Sequence, residues 1–379
     1  MSGTKHVAHF VMMNPNKRGP VELLFPVLAR EWASRGGRTS CWFSAAPPAW
    51  YAEMLDEAGV EHGVIEGVTD EVIDKDAWNA AVERAALRLR PDVVHVHHGW
   101  HGSAATLEQH GIGTVQTEHS GRFPQRLELL RRVVRHRGQR SVRRFIAVAD
   151  FINVQTQRDF MVPASKVVTV HNGVDTEHFR PRPDDRARLR HDLLGIDDDR
   201  PVIVQAAFLD ARKRQAMLVG AMPAVLEVEP RAHLVLAGGG TDETMLRELV
   251  HSLGVGDHVS LLTGDNDVAA LYAAADVATL VSTHEGLPGS AIEALSCGLP
   301  LLIAPNGGSV EVIEDEVSGL FLHDETVEGT TAALTRLVTD QALRERLSAA
   351  GLQRVRELFD IRVTARRTAD VHDDVLAAG

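Results

Sequence analysis

The sequence predicts an α/β protein of two Rossmann-like, doubly wound domains, each built on a parallel sheet. Three observations lead there. The chain has 379 residues, more than one hydrophobic core usually holds, so two domains are expected. Short apolar runs alternate with helical patterns through both halves, the signature of strand–helix–strand units. A segment rich in turn residues, prolines and charge, HNGVDTEHFRPRPDD, interrupts this alternation, with the break at Asn172–Pro183.

In the first half, His6 to Met12 reads as a strand, and the loop from Asn14 to Gly19 leads into a helix opened by Pro20 at a first-turn position. Pro26 is expected to kink that helix, and Gly36 and Gly37 to end it. Strands follow at Thr39–Ser44, Asp92–His97, Gly113–Thr117 and Phe145–Val148, with helical patterns at Pro48–Ala58 and Asp70–Leu89. The second half predicts strands at Val202–Ala206, His233–Ala237, His258–Leu262, Val277–Val281 and Leu299–Ile303, each followed by a helical pattern. The two halves do not repeat one another in sequence, so the chain is two similar folds and not a solenoid. A final helix, from about Ile361 to Ala378, stands apart from the sheet pattern.

Composition narrows the function. The net charge is −12, which argues against nucleic-acid binding. Cys41 and Cys297 lie in apolar runs and read as core residues of a reducing compartment, not as a disulfide framework or a metal site. The apolar run at the N-terminus is too short for a signal peptide or a membrane span, so a cytoplasmic protein is expected. Against the acidic background, Arg122–Arg144 carries nine arginines and one glutamate. Leu127, Leu130, Val133 and Val134 make this an amphipathic helical pattern, compatible with a solvated face, contact with an anionic membrane surface or a soluble acidic acceptor.

The chemistry concentrates in VATLVSTHEGLPGSAIEALSCGLPLLIAPN, Val277 to Asn306. A buried strand runs into a glycine loop, then a helix N-terminus, then a second strand after Gly298 and Pro300. That geometry presents backbone N–H groups and the positive end of a helix to an anion. Ser290 and Glu293 have the spacing of an N-cap and its capping-box partner, which alone would account for Glu293. Glu285, taken singly, is compatible with an exposed loop acid.

Glu285 and Glu293 enclose seven residues, and this E-x7-E within HEGLPGSAIEALSCGLP resembles the signature of retaining glycosyltransferases of the GT-B fold, the large family of sucrose and glycogen synthases and bacterial mannosyltransferases. The likeness extends over IAVADFINVQTQRDFMVPASKVVTVHNGVDTEHFRP and the region from Ala270 to Leu322, and thins to style alone in the first 140 residues. It implies an acceptor-side domain over 1–172, a nucleotide-sugar domain over 173–357, and a C-terminal crossover helix, 358–379, packing back on the first domain.

The resemblance also implies roles. Glu293 would hold the ribose hydroxyls and Glu285 the hydroxyls of the transferred sugar. Gly286, Leu287, Pro288 and Gly289 would line sugar and phosphate, while Ser290 and Ala291 present N–H groups. Thr263, Gly264 and Asp265 fall where the base sits. Lys213, in AAFLDARKRQ, matches the family's lysine beside the diphosphate. The family's arginine position is Phe208, so Arg212 or Arg214, with Arg212 preferred, would supply the second cation. Gly19 matches the second glycine of the family's first loop, where the first glycine is replaced by Arg18. His119, in VQTEHSGRF, matches a histidine near the reacting carbon.

The run HVHHGWH, with His95, His97, His98 and His101, fits no standard zinc spacing and reads as structural or acceptor-lining. Asp197, Asp198 and Asp199 read as a solvated turn, so no metal and no cofactor is expected. The expected reaction moves a sugar from a nucleotide diphosphate sugar, UDP-linked by preference and then GDP-mannose, to a hydroxyl on a glycolipid, a polysaccharide or a small molecule, with retention of configuration. A sugar-nucleotide epimerase of the same architecture and a non-catalytic sugar-nucleotide-binding protein are the alternatives. A dinucleotide-dependent dehydrogenase is disfavoured because neither first strand is followed by G-x-G-x-x-G.

Overall fold

The computed structural model describes residues 4–15, 19–68, 74–97, 102–119, 139–264 and 266–378. The chain divides into two compact units, Met1–Gly173 with Ile361–Gly379, and Val174–Asp360.

The first unit is a parallel sheet of seven strands: β1 (His6–Val11), β2 (Arg38–Phe43), β3 (Glu61–Val64), β4 (Val93–His97), β5 (Gly113–Glu118), β6 (Arg144–Ala147) and β7 (Val167–Thr169), in the order β3-β2-β1-β4-β5-β6-β7. Its helices are α1 (Pro20–Ser34), α2 (Ala49–Glu57), α3 (Lys75–Leu89), α4 (Ala104–Gln109) and α5 (Asp150–Phe160). Every residue of β1, β4 and β5 is buried, as a sheet covered on both faces demands. Pro26 sits inside α1, which continues unbroken to Ser34, and Gly36 takes the left-handed φ of 75° just beyond it. Asp74 caps α3 by accepting from Asp76 N at 3.1 Å; the start expected for this helix, Asp70, lies outside the described residues.

The second unit is a six-stranded parallel sheet: β8 (Val202–Ala206), β9 (His233–Ala237), β10 (Val259–Leu262), β11 (Val277–Leu280), β12 (Leu301–Ile303) and β13 (Leu320–Phe321), in the order β10-β9-β8-β11-β12-β13. Around it run α6 (Arg186–Leu194), α7 (Gln215–Val228), α8 (Glu243–Ser252), α9 (Val268–Ala274), α10 (Gly289–Ser296), α11 (Val327–Thr339) and α12 (Gln341–Arg354). The chain leaves β8 toward β9 and β10, then returns to lay β11 on the other side of β8. This reversal of strand order opens a crevice at the carboxyl ends of β8 and β11, where doubly wound sheets bind ligands.

The last helix, α13 (Ile361–Ala377), belongs to the first unit. Its buried face, Ile361, Thr364, Ala365, Thr368, Ala369, His372 and Val375, has helical spacing and packs with Leu24, Leu28 and Trp32 of α1 in one core. Arg35 fastens the two helices through Asp370 at 2.9 Å and Asp373 at 2.7 Å.

Three strands escaped the sequence reading. β3 is half exposed, with no apolar run, and β7 and β13 are only three and two residues long. β12 begins at Leu301, two residues later than expected, because Leu299 and Pro300 still belong to the turn after Gly298.

Candidate functional site

In the second unit, two loops meet at the strand-order reversal. The loop after β8 carries Phe208 to Lys213, and the loop after β11 carries Thr283 to Pro288. The Thr283 N–H donates to Arg212 O at 2.7 Å, which ties them together. Gln205, fully buried on β8, donates from Nε2 to Lys213 O at 2.9 Å. Asp210 caps the short turn Ala211–Lys213 through the N–H groups of Arg212 and Lys213. So held, Lys213 places its Nζ 2.5 Å from Glu285 Oε1, with both side chains largely shielded from water.

Glu285 is fixed from behind. Its carbonyl accepts from Gly308 N at 3.1 Å, and Gly307 lies against the same carbonyl in the left-handed conformation. A Cβ at Gly307 would stand 2.1 Å from Glu285 O. Asn306 Nδ2 donates to Ser282 O, closing the loop. The same device recurs beneath the first loop. Cβ atoms at Gly238 and Gly240 would lie 2.2 Å from Ala207 O and 2.1 Å from Leu209 O. Glycine is required there because backbone passes over backbone. These glycines and Gln205 were not singled out from the sequence. The runs GGG at 238–240 and PNGG at 305–308, each just after a strand, are the signals that could have found them.

The helix start corrects one expectation. Ser290 is not the N-cap of α10 and forms no capping box with Glu293. Pro288 takes the cap position, and no side chain caps the helix. Gly289 and Pro288 start the first turn two residues earlier than the capping-box spacing assumes, so Ser290 falls inside the helix. The first N–H groups, from Gly289, Ser290 and Ala291, are therefore left to an anion rather than to a side chain. Tyr272 Oη donates to Ser290 O at 2.9 Å and steadies this turn. Glu293, freed from capping, is part-buried, and loss of hydration pushes its carboxyl from 4.5 up to about 7. No cation offsets that burial among the causes of the shift.

Other expected residues lie apart from this group. Arg212 turns to Asp210 at 2.6 Å with its guanidinium mostly exposed. Arg214, in the left-handed region, pairs with Glu325. Phe208 is 55% exposed. Leu287 is buried. Gly264, at φ 101°, follows β10, and Asn266 Nδ2 reaches its carbonyl at 3.3 Å; Asp265 lies outside the described residues. Asp198 and Asp199 pair with Arg200 and Arg231 and are exposed, as a solvated turn.

In the first unit, Gly19 is the N-cap of α1 in extended conformation, and a Cβ there would meet Glu22 Oε2 at 2.8 Å. Arg18, His98 and His101 lie outside the described residues, as does residue range 120–138 of the basic segment. His119 follows β5, with its Nε2 3.3 Å from His97 Nδ1. His95 and His97 share one face of β4 and meet His9 of β1 and His372 of α13, a convergence invisible in the local run HVHHGWH. His9, His95 and His372 bring ring nitrogens within 4.8 Å of one another.

Comparison with known proteins decides the family. Residues 188–354 match the family described as glycosyl transferases group 1, and residues 27–178 match glycosyltransferase family 4. The D-inositol 3-phosphate glycosyltransferase of Stackebrandtia nassauensis is 31% identical over 92% of this chain and 84% of its own. The chain belongs to the glycosyltransferase family. A GDP-mannose-dependent α-(1-6)-phosphatidylinositol monomannoside mannosyltransferase of Mycobacterium tuberculosis is 32% identical, the match spanning 59% of this glycosyltransferase and 60% of that enzyme. Among solved structures, a glycosyltransferase from Rickettsia africae superposes with a TM-score of 0.82 at 15% identity, covering 99% of each chain. Anabaena HepE in complex with UDP superposes at 0.80 and 18% identity, covering 98% of this glycosyltransferase and 100% of HepE. The fold is GT-B.

Proposed function

We propose that this glycosyltransferase moves a sugar from a nucleotide diphosphate sugar to a hydroxyl acceptor with retention of anomeric configuration. The observation that carries the reading is the crevice of the second unit. It sets the Lys213–Glu285 ion pair, an uncapped helix N-terminus and a desolvated Glu293 on two adjoining loops and the helix the second leads into.

A nucleotide diphosphate sugar suits each part. Its diphosphate takes the N–H groups of Ser290 and Ala291 and the charge of Lys213. The ribose diol donates to Glu293, giving the ionised carboxylate the hydrogen bonds that burial has denied it. As the bond from the anomeric carbon to the diphosphate breaks, negative charge grows on the leaving oxygen. Lys213 and the helix N-terminus are the fixed positive groups that meet it. The acceptor oxygen bonds to the anomeric carbon on the face the diphosphate leaves, and its proton passes to the leaving phosphate. Glu285, held by Lys213 and Gly308 N, is set to receive hydroxyls of the sugar. Positive charge for the leaving group thus comes from the protein itself, so the reaction is proposed to need no metal.

The residues of the site bind a diphosphate and a ribose and leave the base to be identified by measurement. UDP-sugars and GDP-mannose are the donors to try first, the second because the mycobacterial relative is named for it. Two relatives are named for acceptors bearing inositol phosphate, so the acceptors proposed for assay are a free inositol phosphate and an inositol glycolipid. Among the described residues no helix is long and apolar enough to cross a membrane. The charge of Arg122–Arg144 supports a surface contact with anionic lipid in a cytoplasmic enzyme.

The test is a melting-temperature panel of UDP, GDP, ADP and dTDP on wild type and Glu293→Ala, followed by turnover of the matching sugar nucleotide with each acceptor. One nucleotide is expected to raise the melting temperature of wild type and not of the variant. If neither the four nucleotides nor their intact sugar conjugates shift it, the donor reading fails; binding without turnover favours the non-catalytic alternative.

A further inference from the structure

Two polar side chains are buried side by side between the otherwise apolar central strands of the second unit. They are Gln205 of β8 and Thr279 of β11. The two strands run parallel and pair through Ile203 with Val277 and Val204 with Ala278. Gln205 and Thr279 are the next pair toward the carboxyl edge. Thr279 Oγ1 lies 3.3 Å from Gln205 Oε1 and 3.4 Å from Val204 O, and Gln205 Nε2 donates to Lys213 O at 2.9 Å. The amide fits only one way round. A backbone carbonyl accepts and never donates, so the NH2 group faces Lys213 O and the amide oxygen is left to the Thr279 hydroxyl.

Such a pair gives little stability over an apolar one. Its hydrogen bonds offset the cost of taking an amide and a hydroxyl out of water, and exchanging both partners for apolar groups of similar shape is nearly neutral. What it adds is direction. It joins the two strands whose ends carry the halves of the ion pair: β8 leads to Lys213, β11 to Glu285. The amide grips the carbonyl at the end of the turn Ala211–Lys213, just before Arg214 enters the left-handed region at φ 53° and starts α7. That peptide sets the way Lys213 leaves the chain, and Lys213 Nζ stands 2.5 Å from Glu285 Oε1. The other end of the loop is held by a second buried amide, as Gln215 Nε2 donates to Phe208 O at 3.0 Å. Only Gln205 reaches the lysine itself.

We infer that Gln205 and Thr279 are positioning residues, which hold the Lys213 ammonium at Glu285 for the chemical step and are dispensable for the fold. The effect on chemistry rests on the reading of Lys213 as the cation that meets the leaving phosphate; the coupling of the buried pair to the Lys213–Glu285 contact does not.

The experiment uses the double variant Gln205→Met, Thr279→Val, in which both polar groups become apolar ones of similar size. Its denaturation midpoint is expected to stay near that of wild type. Lys213 O then turns to water and the ammonium leaves its place, so kcat should fall about tenfold while donor KM changes by less than about threefold. The second readout needs no substrate. Lys213→Met and Glu285→Gln, singly and together, form a double-mutant cycle read by denaturation. The coupling it measures in the wild-type background should vanish in the double-variant background. A double variant that does not fold overturns the inference, because the pair then serves the fold. Unchanged kcat overturns it too, as does a cycle with no coupling in the wild-type background or equal coupling in both. A coupling lost with the buried pair, in a protein that turns over no sugar nucleotide, upholds the positioning device and refutes the transferase reading instead.

Discussion

Replacing Glu293 by glutamine should make the ligand-free protein more stable and the nucleotide complex weaker. Burial raises the carboxyl from 4.5 to about 7, so the folded state holds a proton that the unfolded chain has released. The unfolded state gains free energy by ionising from pH 4.5 upward, while the folded state cannot do so until about 7. Stability is therefore lost as pH rises through that window and is level above it. The gap corresponds to at most about 3 kcal/mol at high pH. Glutamine imitates the protonated acid and removes the dependence. Glu293→Gln should match wild type near pH 4.5 and gain progressively to pH 7, with a rise in melting temperature of up to roughly 5–10 °C at pH 8. With a nucleotide present the order reverses, because two hydroxyl hydrogen bonds to an ionised carboxylate are lost. That costs about 2 kcal/mol, or ~30-fold in affinity. Wild-type affinity should itself fall about tenfold between pH 8 and pH 6, as the carboxylate that accepts the diol becomes protonated. Thermal denaturation across pH, with and without the nucleotide, reads all of this. A variant that is less stable at every pH would refute the burial argument, and one that keeps wild-type affinity would refute the ribose assignment.

Lys213→Ala should lower kcat/KM by about 10³, measured by nucleotide release, since on the proposed reading it removes the donor that meets the leaving phosphate. Gly307→Ala would place a Cβ 2.1 Å from Glu285 O at a positive φ; displacement of Glu285 should reduce kcat ~10²-fold, and wild-type turnover would show that the loop tolerates the shift. Asp276→Asn is a control away from the crevice. Asp276 pairs with Arg186 and Arg190 and accepts from Val202 N at 2.8 Å. Loss of its charge leaves Arg190, only 6% exposed, uncompensated, at about 3 kcal/mol by denaturation, with nucleotide affinity unchanged in the folded fraction.

The strands at Val202–Ala206 and His233–Ala237 were legible residue for residue, because a strand buried on both faces is mostly apolar, here broken only by Gln205 and His233. β3 was not, since its half-exposed residues satisfy the ladder without such a run; its Gly63 instead lies against Trp42, with a Cβ 2.9 Å from that ring. The site was legible where function and local pattern coincide. Glu285 and the glycine loop lie in one short string and Lys213 in another, and the structure brings Lys213 to Glu285 across 72 residues. The capping box failed because Ser290 and Glu293 satisfy a local rule that Pro288 and Gly289 pre-empt by starting the helix earlier. The histidine cluster was illegible because it joins β1, β4, β5 and α13, and sequence spacing says nothing about faces that meet only after the sheet forms.

These cases point to one division of labour. Groups that must meet a flexible, charged ligand sit on loops whose shape is dictated by backbone over backbone, as at Gly238, Gly240 and Gly307. Their chemistry can be read from short strings because neighbours in sequence act together. Groups that must hold one proton in one place need surroundings free of water, and only the core supplies them. Trp32 and His372 are 340 residues apart, yet that single indole N–H, which can only donate, leaves the proton of His372 on Nε2.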